Sequence, residues 1–507
     1  MKTFLKILFY IALLALLGYL LMQLFFIDEY NQFKDRVFHS TAESEEMSDK
    51  ELVVAYSSGT DIFEPTYFDP TTRSRILNVY EALVKTDRNL QIESALALSW
   101  GRLNDTQWEI KLRPNVRFHD GTTFDADDVI TSFDRAMINS KSGLTDVLST
   151  ITSIKKTNGL TILIETEKPD PLLVNRISSV LIFPSEKKDF GMPVGTGPYK
   201  FISLEELDVQ FVRYEDYWGG MPYYASLLIK TIPNRFDRID ALKAGDVHIL
   251  ANVPPSFAQE LKDNPAIEIA SLPSLEVNFL IFNMDSTLLQ DSRIRKAISF
   301  AFDKRAFVEF SNGFARPSNQ FVSNGIFGFN PDIEDNKQDV TLAKTLVRQY
   351  DPFKRPSIEI DMTMGTEVVA EYIKEQITEI GFSVKINLLK WEDLRDKIVN
   401  KESEMYYLGW RSELGDASSF FENVVHSKGH FNGGNYLSKK VDQLVELSSE
   451  NLEQKKRSTQ LHEIMKIITE EDIFGIPLFE SDVVYGVRVG VQFRPRLDGY
   501  ILAWEVY

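Results

Sequence analysis

A chain of 507 residues is too long for a single hydrophobic core and implies two or three domains. Its formal net charge of −18 repels phosphate backbones and gives no general attraction to anionic lipid, so no nucleic-acid partner is expected. The absence of cysteine excludes disulfides, thiol nucleophiles, thiolate metal sites and a cysteine-acylated lipoprotein anchor.

Leu5 to Ile27 is apolar apart from Lys6, Gly18, Tyr19 and Gln23. As a helix, Ile7–Ile27 has the length that crosses a hydrocarbon core of about 30 Å. Lys2 and Lys6 precede the run and Asp28 and Glu29 follow it, so the N-terminus is expected in the cytoplasm and the remainder outside. Met22 to Ile27 offers no small-x-small cleavage site. Residues 5–27 therefore read as an uncleaved signal anchor, a single transmembrane helix in the inner (cytoplasmic) membrane with the body in the periplasm or outside the cell. Residues 28–50, rich in Ser and Glu, read as a polar tether.

Glu51–Tyr56 has the composition of a strand. Ile76, Val79, Tyr80 and Leu83 recur at helical spacing and predict a helix over 73–84. Trp108–Leu112 alternates as a half-buried strand and is broken at Arg113-Pro114-Asn115. His119-Asp120-Gly121 is a turn. Asp125 is placed to cap a helix, with Asp128 near its positive end and Val129, Ile130, Phe133 and Met137 on its apolar face.

The segment from Trp108 to Val129, with Val116-Arg117-Phe118-His119-Asp120-Gly121 and Phe124-Asp125-Ala126-Asp127-Asp128-Val129 in order, resembles the signature of the family 5 extracellular solute-binding proteins. These are the dipeptide-, oligopeptide- and nickel-binding components of ABC importers. Gly195-Thr196-Gly197-Pro198-Tyr199 is similar to a family turn, and Tyr80-Glu81-Ala82-Leu83 to its early helix. Arg238–Ile249, Phe279–Asn283 and Asp291–Arg305 resemble further blocks. The likeness covers about residues 50–507. Most of these matching residues read as packing rather than ligand contacts, with the glycines and proline of 195–199 fixing a turn.

In the second half, Ile358–Met362 is a strand, Glu367–Ile380 an amphipathic helix stopped by Gly381, and Phe382–Ile386 a strand. Strand-helix-strand units of this length imply parallel crossovers and an α/β sheet. Met405–Leu408 is a further strand, Val441–Leu444 and Leu461–Ile468 are helical, and Ile476–Phe479 and Val483–Tyr485 are two late strands. The resemblance implies a two-lobed periplasmic-binding-protein clamshell. Lobe I would be 51–272 with 485–507 returning to it, lobe II 273–484, and the chain would cross between them near 270–283 and 476–488.

Leu408 to Phe420 is the stretch richest in site chemistry. After a buried strand it sets Gly409, Trp410, Arg411, Glu413 and Asp416 among small residues, at a strand end where α/β sheets bind ligands. Trp410 offers a flat wall, and a shielded carboxylate would hold an ammonium. In peptide-binding relatives an aspartate at the position of Glu413 holds the peptide's α-amino group. Glutamate keeps the charge but sets it one methylene further out. Asp416 is the alternative acid, and Arg411 is a nearby partner for a peptide carboxylate. Asn435 and Tyr436, and Asn283 beside the first crossover, are further candidates for lining the pocket.

The expected function is a substrate-binding protein that captures peptides between its lobes for ABC permease subunits, as a monomer and without a cofactor. The same scaffold binding a nickel chelate or another small solute, or serving as a tethered sensor, is the alternative. No G-x-S-x-G, Walker A or dinucleotide fingerprint is present, which argues against an exported hydrolase. His426 and His430 have the spacing of a helical metal pair, but Gly429, Gly433 and Gly434 place them in a loop, so no metal site is expected.

Overall fold

The computed structural model describes residues 48–507 except 60, 61, 68, 140–142, 335, 354 and 413. The expected membrane span at 5–27 and almost all of the tether lie outside the described residues. Among the described residues no helix is long and apolar enough to cross a membrane.

The main sheet has eleven strands among the described residues. Ten follow one path: Ser48–Tyr56 (β1), Tyr199–Glu205 (β2), Asp208–Arg213 (β3), Tyr224–Thr231 (β4), Ile249–Leu250 (β5), Ile267–Phe282 (β6), Ser357–Thr363 (β7), Ser383–Leu389 (β8), Met405–Arg411 (β9) and Gly475–Arg488 (β10). Their order is β2-β3-β4-β1-β5-β10-β6-β9-β7-β8. The remaining strand, Ala315–Pro317, pairs with β10 at Phe479–Ser481.

β6 and β10 hold the molecule together. They run antiparallel along most of their 16 and 14 residues. Ile267 of β6 and Val484, Tyr485 and Val487 of β10 belong to cores built from the first half of the chain. Phe279 and Phe282 of β6 and Ile476 and Leu478 of β10 belong to cores built from the second. Between these ends the register slips. Pro273 faces Asp482 and Val277 faces Glu480, so between these pairs residues 274–276 of β6 oppose the single residue Ser481 of β10. Leu275 lies in the bulge at φ 61° and is buried.

The parallel units are where the periodicity places them. The helix Glu367–Glu379 buries Ala370, Ile373 and Ile377 along one face, and Gly381 ends it at φ 109°. β7 and β8 flank it in parallel register, with Ile358 opposite Val384, and β9 pairs on the other side of β7. In the first half, the helix Ala126–Ile138 starts as expected. Asp125 accepts from the Asp127 amide at 2.8 Å, and Asp128 accepts from the Asp125 amide at 2.9 Å. Its Val129 and Phe133 share a core with Ile110, Ile162 and Ile164 of a four-stranded antiparallel sheet.

Two expectations are corrected. The helix predicted over 73–84 spans only Pro70–Ile76. The Asn78 side chain donates through Nδ2 to the Ser74 and Arg75 carbonyls, which closes the last turn, and Glu81–Ala82 then pairs as a strand with Leu181–Ile182. Residues 79–84 are buried on every side, so the apparent helical period there is not a face. The two late strands are one, because Glu480 and Ser481 keep backbone partners on Ala315 and Arg316 through the polar break.

The signature residues of the first half turn out to be posts. The Gly195-Thr196-Gly197 turn lies against Val79, where a Cβ on Gly197 would come within 2.6 Å of the Val79 carbonyl oxygen. His119 is buried and bonds the Gly197 carbonyl at 2.8 Å, while its backbone amide donates to Gly195 O at 2.9 Å. Burial holds the His119 imidazole down, to about 4. Glu81 accepts from Thr196 Oγ1 and Trp218 Nε1 at 2.8 Å and from Tyr217 OH at 2.9 Å, and burial raises its carboxyl.

Candidate functional site

Two cavities open where the halves of the chain meet, and Leu90 lines both. The smaller, about 110 Å³, lies between the helix Pro70–Ile76, the bulge at Leu275, the end of β9 and the C-terminal segment 496–505. The larger, about 960 Å³, is bounded by Trp108, Leu172 and Asn175 from the first half and by Phe327, Gly415 and Arg457 from the second. Contacts bridge the gap around them. Asn175 Nδ2 donates to Leu414 O at 3.0 Å, Lys168 pairs with Glu450 at 2.9 Å, and Arg411 donates to the Asp498 carbonyl. The halves are thus drawn together over enclosed space, the geometry of a ligand held between two bodies.

The strand β9 positions the stretch singled out from sequence. Its alternation turns Leu408 and Trp410 to one face and Gly409 and Arg411 to the other. Arg411 lies opposite Glu276 and Gly409 opposite Asn278. A Cβ on Gly409 would approach the Glu276 carboxylate to 2.6 Å, so glycine makes room for that acid. Burial raises the Glu276 carboxyl against the opposing charge of Arg411. Arg411 lines the smaller cavity.

The other predicted residues are dispersed. Glu413 lies outside the described residues. Trp410 packs edge-on against Phe420 and Phe431, with ring centroids at 6.0 and 6.2 Å, in a core and outside both cavities. Among the described residues its buried indole N–H has no acceptor. Asp416 lines the larger cavity, but both its oxygens are taken by Arg457, at 2.6 and 2.8 Å. Asn283 and Asn435 bond each other at 3.2 Å, and the Asn283 amide also donates to Ser403 O at 2.9 Å. Tyr436 is buried and donates to Asp472. These last three brace the 432–436 loop against β6 and lie outside both cavities, because Gly434 lets that loop touch the Phe282 carbonyl. His426 lies 3.4 Å from Glu446, and His430 packs on Phe431.

Several lining residues carried no sequence signal. Lys85, Leu275, Leu414, Leu502 and Trp504 come together from remote segments. Arg496 was equally silent. It clamps Asp498 at 2.6 Å, Glu505 at 2.7 Å and the Thr86 carbonyl at 2.9 Å, tying the C-terminal segment to the cavity wall.

The profile described as bacterial extracellular solute-binding proteins, family 5 Middle, matches residues 91–432. The chain is 24% identical over 488 residues to heme-binding protein A of Haemophilus influenzae, covering 87% of this chain and 86% of that protein. It is 22% identical over 494 residues to the dipeptide-binding protein of Escherichia coli K12, covering 87% and 91%. A periplasmic binding protein associated with an ABC transporter of Helicobacter pylori, solved in complex with the peptide STSA, superposes with a TM-score of 0.76. It is 22% identical, with 92% of this chain and 99% of that one covered. The likeness establishes the two-lobed α/β periplasmic-binding-protein fold.

Proposed function

The chain belongs to the bacterial extracellular solute-binding proteins of family 5, and on that footing we propose that it captures short peptides between its lobes and presents them to the permease subunits of an ABC importer. The observation that carries the reading is the smaller cavity, whose wall takes Arg73, Leu77 and Tyr80 from one half and Leu275, Arg411 and Leu414 from the other. A ligand enclosed there touches both halves. It favours the closed arrangement by its differential affinity for it, which is the signal a permease reads. Binding and release, with no bond made or broken in the solute, describe the activity.

We assign 51–272 and 485–507 to one lobe and 273–484 to the other, with the bulge at Pro273–Val277 as the flexing point. The segment 5–27 is proposed to anchor the chain in the cytoplasmic membrane, and 28–50 to tether a monomeric body on the outer side. A fixed tether makes the carrier a local one, serving permeases in the same membrane. Glu413 is proposed to receive the peptide's α-amino group.

Mass spectrometry of the solute released on denaturing the full chain, purified from its own cells, tests the reading. Peptides are expected, each shifting the melting temperature when added back; a ligand at 100 times its Kd adds about 2.7 kcal/mol. A nickel chelate or another small solute, with no response to peptides, would keep the carrier and replace the ligand class.

A further inference from the structure

We propose that the larger cavity is a second solute site, separate from the smaller one, and that it takes a short neutral oligosaccharide. The inference goes beyond peptide capture and does not depend on it.

Charge on the wall is the first guide. Among the described residues the charged side chains lining this cavity are Arg102, Asp416 and Arg457. Asp416 and Arg457 satisfy each other, at 2.6 and 2.8 Å. Arg102 is exposed and lies over the Trp108 ring, 5.9 Å from its centroid. Among the described residues no wall carboxylate is left for an ammonium, so a short peptide would bring its free amine to a place without a counter-charge. The cavity, about 960 Å³, stands at the upper end of the range that encloses small ligands, about 300–1,000 Å³. Its wall thus suits a sizeable and uncharged occupant.

The uncharged polar groups are mostly carboxamides. Gln91 and Asn175 come from the first half of the chain, Asn324 and Gln454 from the second. Gln91 gives one amide hydrogen to Asn89 O at 3.4 Å, and Asn175 gives one to Leu414 O at 3.0 Å. Asn324 and Gln454 are exposed and, among the described residues, make no hydrogen bond through the side chain. A carboxamide both donates and accepts, and so does a sugar hydroxyl. Beside the amides stand Trp108, Phe327 and Phe329, all half-buried. Arg457 lies over Phe327 at 5.2 Å, so two of the three rings carry a guanidinium that holds their orientation. The C–H face of a pyranose is apolar and slightly positive, and it rests on the negative face of an aromatic ring. A hydrocarbon would use the rings and strip the amides of water. A saccharide uses both. Because the amides come from both halves, it also joins them and favours their approach.

Calorimetry on the full chain with cellotriose, maltotriose and triacetylchitotriose tests the site. At least one is expected to bind, with a Kd on the order of 10 μM. No heat from any of the three at millimolar concentration would overturn the proposal. Trp108→Leu and Gln454→Ala, checked for fold by circular dichroism, are each expected to weaken that saccharide at least tenfold. Binding that survives both substitutions would put the saccharide elsewhere and overturn the site. Saturation with Leu-Leu is expected to leave the saccharide affinity unchanged or raised. Displacement by the peptide would make the two cavities one peptide cleft and overturn a separate site. If Leu-Leu gives no heat of its own while a saccharide binds with the Trp108 and Gln454 dependence, the peptide reading fails and this site stands.

Discussion

Asp416 and Arg457 form a two-pronged ion pair, at 2.6 and 2.8 Å, with both side chains almost wholly buried beside the larger cavity. Arg457 also donates to the Ser448 carbonyl at 3.0 Å, and Asp416 accepts from the Ser418 amide at 2.9 Å. The pair thus pins the loop after β9, which carries the expected amine-binding position, to the helix Gln454–Lys466. Removing one partner leaves the other charge buried and uncompensated. Asp416→Ala is expected to cost about 3–5 kcal/mol by urea denaturation, whereas replacing both residues with leucine recovers most of that loss. A loss below about 1 kcal/mol in the single variant would mean that water reaches Arg457 through the cavity.

Gly197 has no room for a side chain. Its Cβ would fall 2.6 Å from the Val79 carbonyl oxygen, which is backbone and cannot swing aside. Gly197→Ala is expected to lower stability by about 1–3 kcal/mol, read as a drop in melting temperature. An unchanged melt would show that the 195–199 turn yields.

His119, bonded to that same turn, makes stability depend on pH. Its ordinary value of 6.5 is held down to about 4 by burial. Between these values the unfolded chain takes a proton that the folded chain refuses, so stability falls as pH falls, by on the order of 3 kcal/mol in total. Denaturation curves from pH 7 to pH 4 should show this slope in the wild type and a flatter one in His119→Gln. Parallel slopes would mean that His119 titrates normally.

The clearest sequence signals were local ones. The cap at Asp125 and the face Ala370, Ile373 and Ile377 are written in neighbouring residues, and the structure has both. Over 73–84 the same pattern misled, because Val79 to Val84 are buried on all sides and burial on all sides mimics any period. The site divides in the same way. Arg411 lines the smaller cavity at the end of β9, a strand that its apolar run announces. Trp410 could not be assigned to core or pocket from sequence, since one residue's shift along a strand reverses the face. Lys85, Leu275 and Trp504 share a wall only because the β6–β10 pair and the Arg496 clamp bring remote segments together. No spacing records that.

Glu413 carries the proposed contact with the peptide's α-amino group. Glu413→Gln preserves size and removes charge, and it is expected to weaken peptide binding at least tenfold, about 1.4 kcal/mol. The loss should be confined to peptides with a free amine, so N-acetylated peptides should bind wild type and variant alike. Calorimetry showing unchanged affinity for free-amine peptides would remove Glu413 from the site.

Glu422 offers the opposite pH signature to His119. It sits in the turn Phe421–Val425, and its carboxyl is raised above the ordinary 4.5, chiefly by burial. Arg176 of the first half of the chain and Arg457 oppose the rise, and Asp416 and Asp170 add to it. Arg176 is paired with Asp170 at 2.9 Å, so its charge is already shared. The sign follows from the direction of the shift. The folded chain holds this proton more tightly than the unfolded chain, so ionising Glu422 costs stability. That cost is absent below 4.5, grows as pH rises towards the raised value and is complete above it. Glu422→Gln is neutral at every pH and escapes the cost. The variant should match the wild type near pH 4 and exceed it at pH 7 in urea midpoint. Because Arg176 and Asp170 of the first half of the chain act on the charge of Glu422 in the second, the same substitution should tighten peptide binding at pH 7. A variant less stable than the wild type at pH 7 would show that the attraction to Arg176 outweighs burial, and that Glu422 is a clasp between the lobes instead of a brake on their closing.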